Sequence, residues 1–212
     1  MAKIGILGGT FDPVHIGHLS LGEQAQRQFE LEQIWFMPSG IPPHKKDHRV
    51  TDGIHRLRMV NLAIRENPRF ICSDFELKRD GNTYTAKTLR LLREEYPEHT
   101  FYFIIGADSL YQIERWYHPE LVMEQTVLLV AGRAYEEEHL PLEEQIQYLQ
   151  DKYNARIFPI AFEEIDISSE EIRNTAAAGG SISRWVPEAV ENYIVTHGLY
   201  RSVRRPMSSK GE

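Results

Sequence analysis

One cysteine, Cys72, stands in 212 residues, so no internal disulfide can form. That scarcity agrees with a reducing, cytoplasmic setting. Cys72 lies in a strand-like stretch and reads as a small core residue. Long apolar runs are missing as well: none approaches the roughly 20 residues that span a bilayer. No signal peptide is expected, because Met1-Ala2-Lys3 leads straight into a short apolar segment. Basic charge is in deficit, with 24 Lys and Arg against 31 Asp and Glu, a net of −7. A general nucleic-acid binder would show a basic face, so neither a nucleic-acid nor a membrane partner is expected. Internal repeats and low-complexity segments are absent.

What the chain does hold is hydrophobic content of 42%, ordinary for a globular protein, and enough length for one compact core. The expected domain runs over residues 1–202. The tail Val203–Glu212 is polar, lacks periodicity and is expected to be disordered. The acidic run Glu136-Glu137-Glu138 reads as a solvated loop.

Apolar strand-like runs alternate with helical spacing. Strands are expected at Ile4–Leu7, Ile34–Met37, Phe70–Cys72, Phe101–Ile105, Thr126–Ala131 and Arg156–Ile160. Helices are marked by Leu21, Ala25 and Phe29; by Leu57, Val60 and Ile64; by Leu89, Leu92 and Tyr96; and by Leu142, Ile146, Leu149 and Tyr153. Two more are expected from about Ser169 and from about Pro187. Strand–helix alternation implies an α/β fold: one Rossmann-like, doubly wound parallel sheet with helices on both faces. Ligands in such sheets bind beyond the carboxyl ends of the strands. The motifs Gly8–His18, Gly106–Asp108 and Ile167–Arg173 follow expected strands.

The most informative stretch is Gly8-Gly9-Thr10-Phe11-Asp12-Pro13-Val14-His15-Ile16-Gly17-His18. It reads as a strand, a glycine-rich turn and a helix whose first turn carries His18. Glycines allow close backbone approach, and free N–H groups at a helix start attract negative charge. His15 and His18, three apart, can face one pocket and donate to phosphate oxygens. Two histidines at this spacing can also be unrelated surface residues or a metal pair, although zincins need a longer HExxH. Neither reading explains the paired glycines and the turn after a first strand. The P-loop pattern GxxxxGK[ST] and the dinucleotide pattern GxGxxG are both absent.

Other segments can be read on their own. Ile167-Ser168-Ser169-Glu170-Glu171-Ile172-Arg173 is a capped helix start or, with Arg173 supplying a guanidinium fork, a phosphate site. Gly106-Ala107-Asp108-Ser109 reads on its own as a strand-to-helix turn with an Asp cap, whose carboxylate can accept hydrogen bonds. Gly40-Ile41-Pro42-Pro43-His44-Lys45-Lys46 reads on its own as a surface turn, basic and stiffened by its prolines, which lowers the cost of holding His44 and Lys45 in place. Trp116-Tyr117 alone would be core.

GGTFDPVHIGH resembles the HIGH-motif nucleotidyltransferases, and within them the bacterial nicotinate mononucleotide adenylyltransferases. The resemblance runs from residue 3 to about residue 201. It implies AMP transfer from ATP to nicotinate mononucleotide in NAD biosynthesis, giving deamido-NAD and pyrophosphate. It implies His15, His18, Lys45 and Arg173 as catalytic residues. Gly8, Gly9, Thr10, Phe11, Gly106, Asp108, Ile167, Ser168, Ser169 and Arg173 would bind ATP. His44, Lys45, Thr85, Trp116, Tyr117 and Arg133 would bind the mononucleotide, Trp116 by stacking on the pyridine ring. Glu170 stands where the family's ISSTxIR pattern usually has Thr. Mg²⁺ is implied on the leaving pyrophosphate, held by phosphates and water more than by protein, and no protein metal site is expected. The implied partners are ATP and nicotinate mononucleotide, with a homodimer as the assembly to test. The alternatives are another adenylyl- or cytidylyltransferase of the superfamily, such as a pantetheine phosphate adenylyltransferase, and a nucleotide-binding regulator without turnover.

Overall fold

Six strands lie in one parallel sheet in a computed structural model of the chain, which describes residues 1–40, 50–79, 81–132, 140–161 and 165–201. In chain order the elements are β1 (Lys3–Gly9), α1 (Ile16–Phe29), β2 (Gln33–Pro38), α2 (Gly53–Ile64), β3 (Phe70–Cys72), α3 (Thr85–Glu95) and β4 (Thr100–Gly106). There follow α4 (Ala107–Gln112), a 3-10 turn (Ile113–Arg115), α5 (Pro119–Gln125), β5 (Val127–Ala131), α6 (Leu142–Tyr153), β6 (Arg156–Ile160), α7 (Ser169–Ala177) and α8 (Glu188–Thr196). The sheet order is β3-β2-β1-β4-β5-β6. Chain direction across the sheet therefore reverses between β1 and β4, the position where doubly wound sheets open a crevice.

Side-chain alternation along the strands splits the interior into two cores. Leu7, Ile34, Phe36, Ile104 and Leu129 pack on one face with Ala25 of α1, Met59 and Val60 of α2, Ile172 of α7 and Val190 of α8. Ile4, Ile6, Phe101, Leu128 and Val130 pack on the other with Leu89 of α3, Leu110 of α4, Val122 of α5 and Ile146 of α6. Being covered on both sides, the strands read as near-continuous apolar runs. β5 is buried at all five positions.

All six expected strands are present, two with unchanged bounds. β1 runs farther than expected: Gly8 and Gly9 pair in register with Met37 and Pro38. The glycine pair is thus the carboxyl end of the strand, and the turn is Thr10–Val14. Cys72 is half-buried beneath α2, its Sγ 3.7 Å from the Leu57 carbonyl, and burial pushes its thiol up to about 12. His44, Lys45, Lys46, Arg133, Glu136–Glu138 and the tail Val203–Glu212 lie outside the described residues.

Candidate active site

The turn after β1 is built around Phe11. Its φ of 51° is in the left-handed region, which costs a non-glycine residue about 1–3 kcal/mol. The compensation is burial. The ring is 1% exposed, against Phe36 at 5.9 Å and edge-on to His18 at 4.9 Å. A buried aromatic gains roughly 1.5–3 kcal/mol, which is of the size needed to offset the strain. A Cβ on Gly9 would stand 3.1 Å from the Phe11 ring, so a larger residue there would have to push the ring aside by a few tenths of an ångström. The Phe11 side chain is accordingly core; only its backbone remains to meet a ligand.

Asp12, 5% exposed, organises the rest of the turn. Its Oδ1 accepts from the Tyr200 hydroxyl at 2.7 Å and its Oδ2 from the Thr51 N–H at 3.1 Å. Buried Arg56 donates through Nη1 to the Thr10 carbonyl and through Nε to the Thr51 carbonyl, both at 2.8 Å. Burial lowers the Arg56 guanidinium and the nearby Asp12 raises it. Burial beside Asp12 pushes the Tyr200 phenol far up, so its hydroxyl stays a donor. Arg56 and Tyr200 were not singled out from the sequence.

His15 caps α1 and His18 sits in its first turn. The His15 backbone N–H donates to His18 Nδ1 at 3.2 Å, and the two rings lie 3.7 Å apart between centroids with their planes tilted by 35°. Burial holds His15 at about 4 and, together with His15, holds His18 well below its ordinary value. Both rings are therefore neutral near pH 7. His18 lines the cleft; His15, 7% exposed, lies against the His18 ring.

α7 approaches the same turn from the other side. Ser168 is its cap: Ser168 Oγ accepts from the Glu171 N–H, and Glu171 returns to the Ser168 N–H, a reciprocal box. Ser169 Oγ donates to the Pro13 carbonyl at 2.9 Å, and Arg173 Nη1 donates to the Asp12 carbonyl at 2.7 Å. Ile167 packs with the core on that side of the sheet. The motif's serine and arginine thus hold the turn that leads to His15.

A cleft of about 700 Å³ opens beyond the ends of β1 and β4. Gly8, Gly9, His18 and Gly106 border it, and Thr85, Trp116 and Tyr117 border it too. A Cβ on Gly106 would meet nothing within 4 Å. Asp108 sits exposed on the first turn of α4, beside cleft-lining Ser109. Trp116 stands edge-on to Phe103 at 6.4 Å, and half-exposed Tyr117 packs on Tyr84 at 4.5 Å. Ser39 and Glu76 also line the cleft, and neither was expected. Among the described residues, no three His, Cys, Asp or Glu side chains converge as a metal-binding group. Among the same residues no helix is long and apolar enough to cross a membrane.

Comparison with known proteins agrees with this arrangement. A family model described as cytidylyltransferase-like matches residues 6–175. A "probable nicotinate-nucleotide adenylyltransferase" of Lachnoclostridium phytofermentans is 44% identical over 94% of this chain and 100% of its own length. One of Carboxydothermus hydrogenoformans, with the same description, is 40% identical over 94% and 98%. Among solved structures, a Plasmodium falciparum nicotinic acid mononucleotide adenylyltransferase complexed with NaAD superposes with a TM-score of 0.76. It covers 94% of this chain and 98% of its own, at 22% identity, and so supports the fold. On the family model and the near full-length relatives, the chain belongs to the cytidylyltransferase-like family and, within it, to the nicotinate-nucleotide adenylyltransferases.

Proposed function

We propose that this cleft joins ATP and nicotinate mononucleotide into nicotinate adenine dinucleotide (deamido-NAD). A phosphate oxygen of the mononucleotide attacks the α-phosphorus of ATP. The new P–O–P bond forms as the bond to the β-phosphate breaks, and pyrophosphate leaves. The attacking oxygen is already anionic near neutral pH, so no protein nucleophile or strong base is required. Catalysis then rests on positioning and charge stabilisation. The observation that carries the reading is one cleft at the β1/β4 reversal, with His18 and two strand-end glycines facing an aromatic end at Trp116 and Tyr117.

The residue roles implied by the resemblance can be set against this geometry. His18, with Nδ1 engaged, would donate from Nε2–H to a phosphate oxygen. His15 would support that ring by side-chain contact and by its backbone N–H. Gly8, Gly9 and Gly106 would let the nucleotide lie against backbone, with Asp108 at a ribose. Ser168, Ser169, Ile167 and Arg173 would fix the Thr10–Pro13 turn from α7, Arg173 adding positive charge. Thr85 and Tyr117 would offer N–H groups to the pyridine carboxylate, and Trp116 a stacking face. Lys45, His44 and Arg133 are proposed as phosphate ligands on sequence grounds. Mg²⁺ would enter with ATP, held by phosphate oxygens and water more than by protein. When bound it would offset charge on the leaving pyrophosphate. The single cysteine supports a cytoplasmic site of action, and a homodimer is the assembly to test.

The test is pyrophosphate release from ATP with and without nicotinate mononucleotide. Release that depends on the mononucleotide, with deamido-NAD as co-product, is expected. ATP binding with no turnover would leave a nucleotide-binding module, and turnover only with another phosphate acceptor would reassign the substrate.

A further inference from the structure

Glu76 is a buried carboxyl group in the wall of the cleft, on the connection between β3 and α3. Its Oε1 accepts from the Thr88 hydroxyl at 2.8 Å. The Thr83 hydroxyl and the Gly40 N–H are further donors to the same carboxyl. Arg79 Nη1 donates to Thr88 Oγ1 at 3.3 Å, which sets the direction of the chain: Arg79 to Thr88, Thr88 to Glu76. Glu76 is therefore an acceptor of several donors, the task of an ionised carboxylate.

The three segments it joins are those that shape one end of the cleft. Gly40 follows β2. Thr83 precedes Tyr84 and Thr85 at the start of α3. Thr88 lies one turn into α3, 4% exposed, on the same helix face as Thr85. The approach is close: a Cβ on Gly40 would stand 3.0 Å from Thr83 Cγ2 and 3.3 Å from the Glu76 carbonyl.

We infer that Glu76 is a positioning residue for the pyridine-carboxylate end of the cleft, holding the Thr83–Thr85 backbone at the height where its N–H groups can meet the substrate. It does not touch the reacting phosphates; it acts through the first turn of α3. The inference rests on the proposed reading of that end as the mononucleotide subsite. Burial raises the carboxyl above its usual range, while Thr88, Thr83, Gly40 and Arg79 pull it back. Arg79 is the charged group that faces it among the described residues. Because the acceptor form does the holding, mononucleotide affinity falls as the pH drops through that raised value.

Glu76→Gln tests it, since the amide keeps the shape but turns one oxygen into a donor facing donors. KM for nicotinate mononucleotide is expected to rise about tenfold, while KM for ATP stays within about twofold and kcat changes little. The variant-to-wild-type ratio of mononucleotide KM should shrink as pH is lowered, because wild type comes to resemble the amide; titration of the substrate cancels in that ratio. Glu76→Asp, which keeps the charge, should recover part of the loss, and it replaces Gln as the probe if Gln does not fold. An unchanged mononucleotide KM, or both KM values rising together, overturns the inference. If wild type shows no turnover with nicotinate mononucleotide, the proposed function fails. Amide exchange over residues 83–89 of the free protein then decides: faster in Glu76→Gln supports the positioning role, equal exchange overturns it.

Discussion

The backbone N–H of His15 is bonded to the ring of His18, through Nδ1 at 3.2 Å. A neutral imidazole has one donor and one acceptor nitrogen, so this contact places the proton on Nε2. The helix start thereby selects the tautomer that can donate away from its own backbone, before any ligand arrives. Removing that donor by His18→Ala should lower kcat by roughly 10²–10³, the usual effect of losing one preorganised donor. The fold should survive. Turnover within a few-fold of wild type would show that His18 does not meet the reacting phosphates.

The same pair makes stability depend on pH. In the unfolded chain an imidazole takes its proton near 6.5, whereas His15 is held at about 4 by burial. Between those values the unfolded state binds more protons, so stability falls as pH drops from 6.5 towards 4 and is level above. The slope reaches about 1.4 kcal/mol per pH unit for each such group, and His18, lowered likewise, adds to it. Urea unfolding at pH 7.5 and pH 5 measures the loss. His15→Asn should reduce it; an identical loss in the variant would assign it to other groups.

Gly106→Ala separates ligand sterics from folding. Gly106 has φ −80° and ψ 161°, which alanine adopts freely, and its Cβ would point into open space. Stability should hold or gain roughly 0.4–1 kcal/mol from a stiffer unfolded chain. KM for ATP should nevertheless rise, because the methyl group occupies the space where the nucleotide would lie. Unchanged ATP kinetics would place the adenosine elsewhere.

Tyr200→Phe should cost about 1–3 kcal/mol, since Asp12 keeps its burial and loses a donor. A change below about 0.5 kcal/mol in chemical denaturation, the size of an ordinary surface substitution, would mean that the hydroxyl contributes nothing there.

The aromatic end bears on substrate choice. A carboxylate only accepts, so N–H groups near Thr85 and Tyr117 would suit the acid form of the mononucleotide. The amide form would face a donor with a donor, at roughly 1–3 kcal/mol per mispaired group. Selectivity of about 10²–10⁴ in kcat/KM is expected. Trp116→Ala should weaken both substrates alike, since both rings stack. Comparable kcat/KM for the two forms in wild type would indicate dual specificity instead.

The sheet was legible because strands covered on both faces are continuous apolar runs. α4 and α5 were not, being six and seven residues long, too short to display a 3.6-residue period. His15 and His18 were read as sharing a pocket from their spacing alone. That the two rings touch each other, with the His15 N–H on His18 Nδ1, depends on the helix starting at Ile16. Arg56 reads as one more charge on an amphipathic helix; its burial depends on carbonyls at Thr10 and Thr51. Glu76 was hidden the same way, since its donors come from three separate segments. Sequence spacing reports on neighbours along an element, and these contacts are made across elements.

The contact between Tyr200 and Asp12 spans 188 positions. As the chain leaves the ribosome, the turn that carries Asp12 is among the first parts made, yet Ser169, Arg173 and Tyr200 emerge only after the sixth strand. A nascent chain complete through Ile160 has the sheet, the glycines and both histidines but none of those three restraints. The turn can gain these three supports only once α7 and the residues after α8 have been made, and chains shortened before them would carry the motif without its supports.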